Sequence, residues 1–457
     1  MKLGVAILAA GQGTRMRSSL PKVLHPLAGK PLLAHVLDTV ARLEANRVAV
    51  VYGHGGDTVR NALSERDVEW VEQSEQLGTG HALEQAMPLL AEMDHVLVLY
   101  GDVPLISEAT LAHLKTLGNK SALALLTATL DNPSGYGRIV RDVEGRVLRI
   151  VEHKDASPEE CAIPEINTGI LLADQGRLAD WLTRLENDNA QGEFYLTDVI
   201  AMAVDEGVNV ETAQPETEEE ILGVNDRVQL SRLERYYQHQ MAQEAMRQGV
   251  TLADPARFDV RGEVVFGSDV FVDVNVVFEG RVEIGDGVSI GPNTLIRNSR
   301  IGDGTQIFAN SVLEDAELGR DTRIGPFARL RPEARLSDRV HVGNFVEIKK
   351  SRVGRGSKIN HLSYIGDAQV GGGVNIGAGT ITCNYDGANK HQTIIGDNAF
   401  IGSDTQLVAP VTVGAGATIG AGSTITRDAP EETLTLSRSK QVSVKGWNRP
   451  VKKKAKD

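Results

Sequence analysis

Along the second half of the chain an aliphatic residue returns at almost every sixth position, with polar residues and glycine between. The series runs Phe266, Val272, Phe278, Ile284, Ile290, Ile296, then Ile301, Ile307, Leu313, then Leu318, Ile324, Leu330, Leu336, Val342, Ile348. It continues through Val353, Ile359, Ile365, through Val370, Ile376, Thr382, and through Ile395, Ile401, Leu407, Val413, Ile419, Ile425. A period of six fits neither a helix (3.6) nor a lone amphipathic strand (2), and it is the mark of a parallel β-helix built from hexapeptides. Four breaks are steps of five residues and one, after Thr382, is a longer insertion; every break follows a multiple of three rungs. The pattern predicts a three-sided prism whose breaks share one corner. Its 27 rungs make nine coils, stacked at about 4.8 Å into a length of roughly 40 Å. The residue after the rung is Gly in eight of nine cases on the first side and six of nine on the second, but only at Gly366 on the third. On that third side Arg297, Arg331 and Lys349 stand there instead.

The first half has a different rhythm. Leu3–Ala9 reads as a buried strand, followed by the loop Gly11-Gln12-Gly13 and a basic segment with Arg15 and Lys22. Further strands are expected at Val48–Tyr52, Val96–Tyr100 and Ala122–Thr127, separated by helical patterns such as Leu32–Leu43. Strands alternating with helices predict an α/β, mostly parallel, doubly wound sheet, with ligands beyond the carboxyl ends of the strands. The mouth would be formed by the 8–16 loop, Gly101-Asp102 and the polar stretch Gln73–Thr79. From Asn209 to Glu220 the chain is acidic and poor in apolar residues, which predicts solvated surface. Leu230, Leu233, Tyr237 and Met241 then recur at helical steps, an amphipathic helix ending near Gly249 and acting as a semi-rigid spacer. The expected domains are residues 1–227, a helical linker at 228–248, and 249–457.

Composition narrows the classes. A length of 457 residues has room for two or three domains, and 41% hydrophobic residues suffice for their cores. The net charge of −13 argues against a general nucleic-acid binder, and a solvated end suits the basic tail Val451–Lys456 better than a nucleic-acid patch. Cys161 and Cys383 fall in different predicted domains, as expected of a reduced cytoplasmic protein. The opening MKLGVAILAAG has a signal-like cast, but its apolar run of about eight residues leads straight into a glycine turn. No stretch approaches the roughly 18 apolar residues of a membrane span.

Several positions invite chemistry and also bland readings. The glycine turn is an ordinary loop or, with Arg15 and Lys22, a seat for a triphosphate. Asp102 is a helix cap or a ligand for a hard divalent cation. Arg331 and Lys349, in consecutive coils, are paired surface charges or a phosphate-monoester site. His361 lies two residues after a second-side rung, and the same slot in the next three coils holds Ala378, Ser403 and Ala421. Small residues above a histidine leave a groove roughly 15 Å long, a fit for an extended pantetheine arm. An imidazole titrates in the range needed to take a proton from an amine. The insertion after Thr382 contains Asn384-Tyr385 and Lys390, and an insertion on a regular coil is usually functional.

At these residues the chain resembles a known family. LAAGQGTRM at 8–16 with Pro21-Lys22, EQLGTGHA at 75–82, YGDVPL at 100–105, GYGRI at 135–139, IVEHKDA at 150–156, EINTG at 165–169 and GVND at 223–226 look like the sugar-1-phosphate nucleotidylyltransferases. Combined with the hexapeptide array, the chain is most similar to the bacterial bifunctional N-acetylglucosamine-1-phosphate uridylyltransferase/glucosamine-1-phosphate N-acetyltransferases, over essentially its whole length. The resemblance implies a Rossmann-like nucleotidyltransferase domain followed by a left-handed parallel β-helix. It also implies a homotrimer with sites between neighbouring subunits, and synthesis of UDP-N-acetylglucosamine for peptidoglycan and lipopolysaccharide.

It implies residue roles as well. Leu8, Ala9, Ala10, Gly11, Gln73, Gly78 and Thr79 would hold the uracil and ribose of UTP, and Arg15 and Lys22 its phosphates. Tyr100 and Gly101 would line the same site, Gly137, Glu152 and Asn167 would bind the N-acetylglucosamine sugar, and Asp102 and Asn225 would hold Mg²⁺. Gln12 occupies a variable place in the family's loop. In the prism His361 would be the base, with Arg331, Lys349, Tyr364 and Asn375 on the sugar phosphate. Ala378, Asn384, Tyr385, Ser403, Ala421 and Arg438 would contact substrate or acetyl-CoA, and Glu347 is the candidate to orient the imidazole. Two other readings stay open: a nucleotidylyltransferase with a purely structural or regulatory β-helix, and a non-enzymatic β-helical assembly protein. His361, Lys349 and the insertion weigh against the first, the Gly11–Lys22 loop and Asp102 against the second.

Overall fold

A computed structural model describes residues 2–11, 13–53 and 55–452; Gln12 and the last part of the basic tail lie outside them. The chain divides into two compact units, Met1–Gln240 and Met241–Asp457.

In the first unit the strands are β1 (Leu3–Ala9), β2 (Arg47–Tyr52), β3 (Glu69–Glu72), β4 (His95–Tyr100), β5 (Leu123–Thr129), β6 (Arg138–Arg141), β7 (Val147–Val151), β8 (Glu165–Asp174) and β9 (Val210–Ala213). The sheet runs β9-β5-β8-β4-β1-β2-β3, with the β6–β7 hairpin joined to β8. It is parallel apart from β8, which runs against β4, β5 and β6, and from β7, which runs against β6. Every residue of β1 is buried, as a strand covered on both faces must be. The expected strands are all present within one or two residues at the ends, and the helix at Leu32 runs to Arg42.

The acidic stretch at 209–220 departs from expectation. It contains β9, paired in parallel with β5, and Glu220 is 7% exposed. The Glu220 carboxylate accepts from Ser107 N at 3.1 Å, Thr110 Oγ1 at 2.7 Å and Glu216 N at 3.1 Å. A buried carboxylate is tolerable when its lone pairs are filled in this way, so the segment is a structural edge that is only in part solvated surface, with Gln214, Glu216, Thr217 and Glu218 exposed. The helix α1 (Arg227–Arg247) begins as the apolar spacing predicts. Leu233 packs with Met16, Leu27 and Val224 in the first unit, while Ala242 and Ala245 join the core of the second.

The second unit is the prism, a near-closed left-handed β-helix. Second-side rungs pair coil to coil without a slip: Val272↔Ile290, Ile290↔Ile307, Ile307↔Ile324, Ile324↔Val342, Val342↔Ile359, Ile359↔Ile376, Ile376↔Ile401 and Ile401↔Ile419. The rung side chains form one continuous core cluster. Each five-residue step carries a left-handed residue two places after its rung, at Asn298, Asp315, Lys350 and Asp367 (φ 44°, 46°, 44° and 49°). That single conformation turns the corner one residue early. The coil also reaches beyond the aliphatic series. Leu252 pairs beneath Val272 and Val260 beneath Phe278, and at the other end Ala429 pairs with Val413 and Thr435 with Ile419. Val260 lies six residues before Phe266 and simply extends the series, whereas Leu252, eight residues before Val260, and Ala429, four after Ile425, break the six-residue spacing.

Ile359 is fully buried between Val342 and Ile376. Ile359→Ala should lower the unfolding free energy by about 2–5 kcal/mol in chemical denaturation; a loss below about 1 kcal/mol would mean the coils do not form one interlocked core.

Candidate active sites on the two units

The first unit's mouth is built where β1, β3 and β4 end. It encloses a cavity of about 450 Å³ lined by Leu8, Ala9, Ala10, Gly11, Lys22, Gln73, Gln76, Gly78, Thr79, Tyr100, Asp102 and Glu193. Gln76 lies within the EQLGTGHA stretch, where no role was assigned to it, and Glu193 lies in none of the quoted motifs. The Gln76 amide donates to Ala10 O at 3.2 Å, tying the third strand's exit loop to the first. Gln73 donates to Gly78 O at 3.1 Å and meets His81 Nδ1 at 3.1 Å, so the polar stretch is rigid before any ligand arrives. Gly13 is left-handed (φ +61°), and a Cβ there would lie 2.7 Å from Lys22 Cβ. Only glycine lets the loop lie against the turn that carries Lys22. Arg15 is exposed at the rim of that turn.

Asp102 does not cap a helix. The following helix is capped by Ser107, whose hydroxyl accepts from Thr110 N at 3.1 Å, while the Asp102 carboxylate accepts from the Lys22 ammonium. Lys22 Nζ also donates to Asn225 Oδ1 at 3.2 Å. A backbone bond from Val224 N to Asp102 O (2.9 Å) brings Asn225 to this point from far along the chain. Two hard oxygen donors thus converge on one positive charge. This donor set suits a divalent cation that takes its remaining ligands from phosphates; among the described residues no cluster of three or more His, Cys, Asp or Glu is placed to hold a metal by itself.

Beside the mouth, Gly137, Glu152 and Asn167 are brought together by the β6–β7 hairpin and β8. Asn167 N donates to Gly137 O at 2.8 Å, and a Cβ on Gly137 would lie 3.3 Å from Glu152 Oε1. Thr197 Oγ1 donates to Glu152 Oε1 at 3.2 Å. Burial, and then Asp198, Asp155 and Glu193, push the Glu152 carboxyl up, against the lowering effect of the Thr197 bond. Burial, Glu152 and Asp102 together push the Tyr100 hydroxyl above its usual range.

On the second unit the vertical column is real. Gly379 N donates to His361 O at 3.3 Å, Asp404 N to Ala378 O at 2.7 Å and Gly422 N to Ser403 O at 2.8 Å, the same bond repeated coil by coil. Arg438 Nη1 closes the end on Ala421 O at 2.9 Å. The sugar-phosphate candidates split between two faces. Arg331, Lys349 and Tyr364 lie along the 17-stranded sheet, where Glu347 pairs with Tyr364 and Lys349 with Gly366. Asn375 lies on the 11-stranded sheet above Lys358.

Charges on the third side are of two kinds. Arg297 is held by Glu279 and Glu314, a paired ladder. Lys349 faces Lys390 from the insertion, and that cation, with burial and Arg331, holds its ammonium below the ordinary lysine range. The insertion is preorganised: Tyr385 bridges to Lys390, Asp386 accepts from Ala388 N, Asn389 N and His391, and the Asn384 amide donates to Asp367. Cations crowded together suit a dianion. Within the chain the Glu347 carboxylate accepts from Arg331 Nη1 at 2.8 Å. The imidazole Nδ1 lies instead 2.7 Å from Asn344 Oδ1, a residue whose place two after a rung would have marked it.

Comparison with known proteins covers both units. The MobA-like NTP transferase domain matches residues 5–193, and the bacterial transferase hexapeptide (six repeats) matches 263–298 and 392–427. A bifunctional protein GlmU of Aromatoleum aromaticum is 61% identical over 451 residues, 99% of each chain. That of an Azoarcus species is 61% identical over 450 residues, 98% of this chain and 100% of its own. The GlmU of Methylococcus capsulatus is 59% identical over 453 residues, 99% and 98%.

Glu152 yields a pH prediction. Its folded pKa lies above the ordinary 4.5, so its stabilising effect is present below about pH 4.5 and lost as the pH rises through the folded value. Glu152→Gln should therefore melt higher than the parent at pH 7, with the difference vanishing near pH 4. An equal difference at both pH values would show that the carboxyl is not strained.

Proposed function

The chain belongs to the family of the bifunctional GlmU proteins, and on that premise we propose how its residues divide the work. It makes UDP-N-acetylglucosamine in two transfers: acetyl from acetyl-CoA to glucosamine-1-phosphate on the prism, then uridylyl from UTP to the product on the N-terminal unit. We assign residues 1–227 to uridylyl transfer, 228–248 to a helical linker and 249–457 to acetyl transfer.

In the N-terminal unit Leu8–Gly11, Gln73, Gly78 and Thr79 take the uracil and ribose, and Gly137, Glu152 and Asn167 the sugar. A sugar-phosphate oxygen attacks the α-phosphorus of UTP as the bond to pyrophosphate breaks. Mg²⁺, held by Asp102 and Asn225, supplies charge neutralisation at the phosphates when bound. Lys22 and Arg15 neutralise charge on the same groups and align them. The convergence of Lys22, Asp102 and Asn225 supports these assignments.

On the prism the carrying observation is the register of His361, Ala378, Ser403 and Ala421. The pantetheine arm lies along the small residues, contacted by Asn384, Tyr385 and Arg438. Arg331 and Lys349, with Lys390, take the phosphate, and Tyr364 and Asn375 the sugar. The amine nitrogen attacks the thioester carbonyl, His361 accepts the amine proton, the C–S bond breaks, and the proton passes to the sulfur of CoA. Donors aimed at the carbonyl oxygen, among them backbone N–H groups near Ala378, stabilise the oxyanion.

A homotrimer is part of this reading. Arg331 directly follows the strand Arg329–Leu330 of one sheet and Asn375 lies in the other, an arrangement that suits a site completed by a neighbouring copy. Phe327, Phe345 and Leu362, on consecutive coils and 49%, 55% and 63% exposed, form an apolar ladder suited to that neighbour. We place the protein in the cytoplasm: both cysteines are free, and no helix among the described residues is long and apolar enough to cross a membrane.

Two substitutions separate the halves. Asp102→Ala should abolish pyrophosphate release while CoA release stays near normal; equal loss of both would sink the assignment of independent sites. His361→Ala should slow acetylation by about 10²–10⁴-fold with acetyl-CoA affinity retained, and a near-normal rate would remove His361 from the chemistry.

A further inference from the structure

Among the second-side strands, two stand apart. The strands of that sheet are two residues long, as at Arg323–Ile324 and Asn375–Ile376, but His341–Asn344 and Lys358–His361 run to four. The added pairing ends on Asn344↔His361, and Leu362 N donates to Asn344 O at 3.1 Å. Gly343 allows the approach, since a Cβ there would lie 1.9 Å from Asn360 O. The backbone ladder therefore delivers the Asn344 side chain to the imidazole, 2.7 Å from Nδ1. The carboxylate of Glu347, in the other sheet, accepts from Arg331.

A neutral imidazole has one donor nitrogen and one acceptor, and the partner of one nitrogen decides the role of the other. We propose that Asn344 is a positioning residue for acetyl transfer. Its amide oxygen accepts the Nδ1 proton of His361 and so leaves Nε2 bare to take the proton of the attacking amine. The proposal rests on His361 being the base. Without the Asn344 oxygen the ring is free to rotate and to adopt the opposite tautomer, in which Nε2 carries hydrogen and cannot accept. The amide does this without adding a negative charge beside the thioester carbonyl, where an oxyanion develops.

The test uses the full-length protein with ¹⁵N-labelled histidine. In the parent, His361 should show a protonated Nδ1 and a bare Nε2. In Asn344→Ala the ring should shift towards the Nε2–H form. Its kcat for acetyl transfer should fall about 10–100-fold, part of the 10²–10⁴ that a positioned base supplies, with KM for glucosamine-1-phosphate and acetyl-CoA little changed. Unchanged uridylyl transfer reports an intact N-terminal unit, and the unchanged KM values for the acetyl-transfer substrates, with an unaltered thermal unfolding of the prism, report that the second unit is folded. Asn344→Asp, whose carboxylate oxygen can accept the same proton, should restore the tautomer and most of the rate. An unaltered tautomer in Asn344→Ala, a shifted tautomer at full kcat, or a loss that Asn344→Asp does not recover would each overturn the proposal. If His361→Ala itself retains acetyl transfer, the base assignment fails first; if His361→Ala is inactive while Asn344→Ala is normal, only the role of Asn344 fails.

Discussion

A hexapeptide coil cannot bury its own apolar row; each rung is covered only by the rungs above and below. That constraint forces the coils into vertical register, and the register is what makes a site. Residues far apart in the chain, such as His361 and Ala421, share a column because Ile359 and Ile419 share a core. The interior ladder leaves no freedom to slip, since sliding a coil by one residue would put its rung outside. Outward positions are consequently addressed by the same stacking that stabilises the fold. The candidate residues gather where the coil is locally irregular: the two four-residue strands around His361 and the insertion carrying Lys390.

The N-terminal unit solves a similar problem with different means. Its parallel strands all end on one side, so the loops that follow β1, β3 and β4 meet at a common mouth. Lys22 bonds both Asp102 and Asn225 there, which keeps a carboxylate from standing alone in a half-buried place. Glu152 is the opposite case: its burial beside Asp155, Asp198 and Glu193 strains the fold slightly in return for a buried acceptor. A ligand hydroxyl donating to it would relieve that strain.

Much of this was legible from residue order. The six-residue spacing gave the prism, its corner and the column of His361, because spacing and stacking are one geometric fact. The glycine loop and strand ends located the mouth. Other features were not legible, for identifiable reasons. The end rungs at Leu252, Ala429 and Thr435 lie beyond steps of eight or four residues that break the six-residue beat. Composition made 209–220 look solvated, yet β9 is an edge strand and Glu220 is satisfied by partners more than a hundred residues away. Charge pointed to Glu347 beside His361, but within the chain Glu347 is bonded to Arg331 in the neighbouring coil, and the uncharged Asn344 is the residue in contact with the imidazole.

The most direct test of the register is a crystal structure of the protein with acetyl-CoA bound. The pantetheine arm should run along Ala378, Ser403 and Ala421, with the thioester end nearest His361. An arm lying on another face, away from that column, would contradict the claim that coil stacking builds the acetyl-transfer site.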